Sequence, residues 1–145
     1  MELELPRDTL GLGEAQETPM PKDIDLPLDE TEEARVPQLA REYQSLGGHA
    51  GTTEEKIARM IFEGGIFKNK DRPKAAPLPA PAKLAPRTVT ASDSSLRELE
   101  ELEARWGLSR EEVLRIVVVD GLAYVEEALH MFKRGHKFVP DKAKA

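Results

Sequence analysis

The sequence predicts a mainly α-helical protein in two unequal parts. A largely disordered, partly helical N-terminal half precedes a C-terminal dimerisation module of one short strand and two helices. Three observations predict this. Residues 1–29 carry Pro6, Pro19, Pro21 and Pro27 among scattered leucines, with no helical or strand period. Residues 69–86, NKDRPKAAPLPAPAKLAP, form a proline-rich break. Residues 87–133 then run from an alternating stretch, RTVTAS, into two apolar stripes at helical spacing.

The N-terminal residues contain no aromatic side chain before Tyr43. Such a segment cannot bury enough apolar area to offset its ordering entropy, so residues 1–29 are expected to form an acidic disordered tail. Residues 30–68 are expected to make a short amphipathic helical hairpin. Asp29 and Glu32 have capping-box spacing, but a helix begun there would take Pro37 into its interior. The expected start is therefore Pro37, with Leu39, Ala40, Tyr43 and Leu46 on one face and Gly47-Gly48 as the stop. Thr52 and Glu55 signal the second helix, with Ile57, Met60 and Ile61 on its apolar face and Gly64-Gly65 at its end. Helices this short are marginal alone in water, so this segment is expected to need a partner.

The five prolines of residues 69–86 favour an extended, semi-rigid spacer. Lys68, Lys70, Arg72, Lys74 and Lys83 make it basic, so it reads either as a solvated linker or as an arm that follows phosphates.

After the linker, RTVTAS alternates about a β-branched centre and predicts a strand facing inward through Val89 and Ala91. Ser95 and Glu98 have capping-box spacing, followed by Leu96, Leu99, Leu102 and Trp106 on one stripe and Gly107 as the C-terminal stop. Ser109 and Glu112 open a second, far more apolar helix containing Val113, Leu114, Ile116, Val117, Val118, Leu122, Tyr124, Val125 and Leu129. No other strand is evident, and a lone strand leaves backbone groups unpaired. Pairing with a second copy answers that need, so an obligate homodimer is expected. Its core would be Val89, Leu99, Leu102, Val113, Ile116, Val117 and Leu122.

Over residues 87–130 this order resembles the ribbon-helix-helix family of DNA-binding proteins. The turn carries the matching residues Gly107, Ser109, Arg110, Glu112, Val113, Leu114 and Arg115. The resemblance implies that paired strands enter the major groove of double-stranded DNA with Thr88, Thr90 and Ser92 outward and Arg87 at the rim. It also implies that the helix start at Ser109 and Arg110 holds a phosphate, as its free amides and dipole favour. Glu111 departs from the family pattern, standing where a small hydroxyl residue is usual, and with Glu112 it repels an anion.

The chain of 145 residues has a net charge of −6, distributed unevenly. Residues 1–33 are net −9, residues 34–86 net +4 and residues 87–145 net −1. Residues 134–145 are read as a basic flexible end. There is no cysteine, which excludes disulfides and thiolate metal sites. His49, His130 and His136 have no metal-binding spacing, and no nucleophile–base arrangement, P-loop or dinucleotide fingerprint is present. Neither an enzyme nor a cofactor is expected. No apolar run approaches the ~20 residues of a membrane helix, and MELELPRDTL lacks the pattern of a signal peptide, so a cytoplasmic protein is expected.

The functional expectation is a homodimeric DNA-binding protein: a transcriptional repressor, or a plasmid or phage partition or mobilisation factor. The alternative is a structural or regulatory interaction protein that dimerises through residues 87–133 and docks a protein partner through residues 1–68.

Overall fold

A computed structural model describes residues 22–135. The element order is β1 (Lys22–Leu26), α1 (Glu30–Gln44), α2 (Glu54–Asn69), β2 (Arg87–Ala91), α3 (Asp93–Trp106) and α4 (Arg110–Lys133). The chain is thus a strand and two helices, followed by a second strand and two helices.

The two strands pair with each other in antiparallel register. Ile24 lies opposite Val89 at the centre, with Lys22 opposite Ala91 and Leu26 opposite Arg87 at the ends. This corrects the expected architecture of a C-terminal module behind a disordered half. Lys22–Leu26 is a strand, and it supplies from within the chain the partner that was assigned to a second copy. The physical case for an obligate homodimer goes with it, because β2's ladder bonds are already made. Residues 1–21 of the predicted tail and 136–145 of the predicted basic end lie outside the described residues.

Helix α2 crosses α4, and this contact is the most extensive between any two elements. Two glycines permit it. A Cβ on Gly121 would fall on the carbonyl of Ile61, and a Cβ on Gly65 would fall on the carbonyl of Val117. The two contacts are reciprocal: Ile61 and Val117 are as far apart in sequence as Gly65 and Gly121. Together with the ribbon centred on Ile24 and Val89, they relate the two halves by an approximate two-fold.

Three helices depart from expectation. Helix α1 begins at Glu30 with the full Asp29–Glu32 capping box and carries Pro37 in its interior. Proline forfeits one backbone bond there. Burial of Val36, Leu39, Ala40 and Tyr43 and the cap outweigh the loss. Helix α2 is capped by Thr53 and runs through Gly64-Gly65 to Asn69. Those glycines are a packing surface for α4, not a stop. Helix α3 is capped by Ser92, earlier than Ser95. Gly107 ends it in the left-handed region at φ 68°, and Ser109 with Glu112 caps α4 as the sequence indicates.

One core fills the space between the ribbon and the helices. Ile24, Leu26, Val36, Leu39, Tyr43, Ile57, Ile61 and Phe62 from the first half meet Val89, Leu99, Leu102, Val113, Val117 and Val125 from the second. The residues assigned to a dimer core therefore lie within a single chain: Val89, Leu99, Leu102, Val113, Ile116 and Val117 are buried and Leu122 is half-buried. The apolar faces of α1 and α2, assigned to a protein partner, are covered by this same core.

Candidate functional site

Alternation along each strand sends one set of side chains inward and the other outward. Ile24, Leu26, Val89 and Ala91 point into the core; Asp23, Asp25 and Thr88 are exposed and Thr90 is half-exposed. The outer face of the ribbon is therefore two carboxylates beside two hydroxyls. They pair directly across the strands: Thr88 Oγ1 donates to Asp25 Oδ1 at 2.7 Å and Thr90 Oγ1 to Asp23 Oδ1 at 3.2 Å.

The predicted DNA-contacting cations are likewise engaged with acids. Arg87 donates through Nε to Glu33 Oε1 at 2.9 Å, pairs again with Glu33 through Nη2, and reaches Glu54 at 3.1 Å. The hydrogen bonds it donates to Glu33 hold its guanidinium pKa above the ordinary arginine value. Arg110 donates to Glu103 at 2.7 Å and lies 3.5 Å from Glu100. Ser92 and Ser109 accept from the amides of Ser95 and Glu112 as helix caps. The carboxylate of Glu112 in turn accepts from the Ser109 amide, so the α4 start carries its own anion.

The six predicted residues fall in two groups, one on the ribbon and one at the α4 start. Arg87, Thr88, Thr90 and Ser92 share β2 and its end, while Ser109 caps α4 with Arg110 as its first residue. What sequence reasoning missed are the acids opposite them: Asp23, Asp25, Glu33 and Glu54. The signal was present in KDIDL, which alternates polar and apolar between two prolines, but its length is too short to stand out from the tail.

An open groove runs beside the ribbon. Ile24, Pro27, Leu84, Pro86 and Leu114 line it, Asp25, Arg110 and Glu111 edge it, and its volume is about 450 Å³. It continues under Leu78, Ala80 and Pro81 toward Glu112 and Arg115. Leu84 and Leu78 are 45% and 39% exposed, so the groove offers uncovered apolar surface next to the acidic ribbon.

Among the described residues no group of three or more His, Asp or Glu is placed to hold a metal ion. No helix among them is long and apolar enough to cross a membrane. In comparison with known proteins, the chain matches no family model, no curated protein and no solved structure.

Proposed function

We propose that this is a cytoplasmic, non-enzymatic binding protein whose ribbon face and adjoining groove take an extended, basic and apolar segment of a partner protein. The observation that carries this reading is that Asp25, on the acidic outer face it shares with Asp23, edges the Ile24–Leu84–Leu114 groove. An apolar channel edged by carboxylates complements a chain that alternates lysine or arginine with leucine-like residues. Charge complementarity would set specificity and association rate, while the apolar contacts supply most of the affinity.

A second reading, binding of double-stranded DNA through the ribbon, rests on a separate observation. An antiparallel ribbon, with a helix pair following each strand, is the arrangement that the ribbon-helix-helix resemblance implies. Against it stand Asp23 and Asp25 on the outer face, and the carboxylates on Arg87 and Arg110. Both cations would have to exchange an intramolecular acid for a phosphate.

One titration separates the two. The protein is tested at low salt against a peptide of alternating lysine and leucine and against random duplex DNA. Peptide binding that weakens in the Asp23→Asn/Asp25→Asn variant supports the proposed reading. Duplex binding that falls steeply with salt, with no peptide binding, replaces it with the second.

A further inference from the structure

Residues 73–83 connect the two halves without belonging to either. They form no helix or strand. Four of them are prolines without an amide hydrogen, and among the described residues none of the others donates a backbone bond to the fold. The segment is pinned at both ends. Trp106 Nε1 donates to the Arg72 carbonyl at 2.9 Å before it, and the Ala85 amide donates to the Leu28 carbonyl at 2.7 Å after it. Between these pins Lys74 and Lys83 are exposed, Lys83 in a surface ion pair with Glu30.

The halves themselves are bound by interactions that bypass this strap. The ribbon pairs β1 with β2, and α2 crosses α4 at Gly65 and Gly121. Arg35 pairs with Glu126, Lys68 with Glu127, Arg115 with Glu32 and Lys133 with Glu42, each bridging residues before and after the strap. Tyr43 Oη donates to the Val125 carbonyl in the core. None of these contacts needs a continuous chain.

We propose that residues 73–83 are a processing strap: a site for a lysine-directed endoprotease, at which cleavage converts the single chain into a stable two-chain complex. Proteases take an extended segment whose backbone is free of other bonds, which this mostly exposed, irregular stretch provides. Water adds across the Lys74–Ala75 peptide bond, leaving a carboxylate on Lys74 and an ammonium on Ala75, both in solvent. The Arg72–Pro73 bond is closed to such enzymes by its proline, and Lys83–Leu84 is shielded on one side by the pairing of Leu84 with Asp29. Lys74 is therefore the preferred site.

In holding the two halves together the strap acts as a tether, while its Leu78, Ala80 and Pro81 line the groove. A short linker that spans its two ends holds them at an effective concentration on the order of millimolar. Cutting it makes association bimolecular, so at 1 µM protein the ratio of paired to separated halves should fall about 10³-fold. The melting temperature of the cut protein should then rise with concentration, while that of the intact chain stays constant.

The test is digestion of the full chain with a lysine-specific endoprotease, followed by native and denaturing mass spectrometry. Cleavage at Lys74 under native conditions, with both fragments remaining in one particle and a concentration-dependent melt, supports the proposal. The Lys74→Ala/Lys83→Ala variant should resist cutting in the strap and keep a concentration-independent melt. A strap that survives while α-helical lysines are cut overturns the accessible site. Fragments that separate or unfold at micromolar concentration overturn the complementary halves.

Discussion

Gly121→Ala tests the crossing that joins the two halves. The new methyl would land on the main-chain carbonyl of Ile61, and a backbone atom cannot rotate aside as a side chain can. Two effects oppose each other. Alanine is favoured over glycine in a helix interior by about 1 kcal/mol. Forcing extra volume into a packed contact costs about 1–3 kcal/mol, occasionally more, and a backbone obstacle sits at the upper end. Separation of α2 from α4 would also loosen Ile61, Phe62, Val117 and Val118, all fully buried. The balance is a net destabilisation of about 2 kcal/mol.

Urea unfolding followed by circular dichroism measures it as a lowered midpoint at unchanged slope. Gly65→Ala, which meets the Val117 carbonyl, should behave alike. Gly64→Ala should also destabilise, by somewhat less, because the nearest atoms it meets are side-chain Cδ1, Cγ and Cβ of Tyr124 rather than a main-chain carbonyl. Gly51→Ala, with open space around it, serves as the control. The double Gly65→Ala/Gly121→Ala variant should cost less than the two single effects added, since one helix separation relieves both clashes. A Gly121→Ala protein as stable as the parent, or stabilised by the ~1 kcal/mol of helix propensity, would refute the close crossing.

Three further expectations concern the core and its charges. Leu99→Ala removes a fully buried core side chain and should cost about 2–5 kcal/mol, read from the same urea midpoint. Arg115→Ala strands Glu32, since both side chains are only 12% exposed; a loss of about 3 kcal/mol is expected, and Arg115→Lys should recover only part of it. Titration should show two edges. Burial raises the Tyr43 phenol above its ordinary value, so the folded state keeps a proton that the unfolded state releases, and stability should decline as pH rises above about 10. The Glu42 carboxyl is lowered by its bond to Lys133 and then by Arg35, so the stability it contributes is present at neutral pH and lost as pH falls below the ordinary carboxylate range. A Lys133→Ala protein whose acid-side loss is unchanged would remove Glu42 as its source.

Much of the local structure was legible. The capping pair Ser109–Glu112, the left-handed Gly107 and the inward set Val89 and Ala91 depend on neighbours within a few residues, and each is formed; Asp29–Glu32 is formed too, where the expected start was Pro37. Helix α4 was readable because its apolar run is bounded by a cap. The candidate site was legible only in its second-half residues. Thr88 and Thr90 do face outward, but whether they meet solvent or acid depends on the strand beside them.

The sequence by itself determined where helices α3 and α4 meet, which face of RTVTA is apolar, and that the prolines of 69–86 separate two segments. Those properties are encoded in caps, periods and fixed backbone angles, whose energies act over one or two turns. Only the tertiary structure decided that KDIDL is a strand, that α1 passes through Pro37 and that α2 passes through Gly64-Gly65. A five-residue strand has no stability apart from its partner, and here the partner lies beyond two helices and the strap. A mid-helix proline or glycine pair reads locally as a break, yet burial against the other half outweighs its cost. The same distant pairing set Asp23 and Asp25 against Thr90 and Thr88, and so decided the charge of the face on which any partner must land.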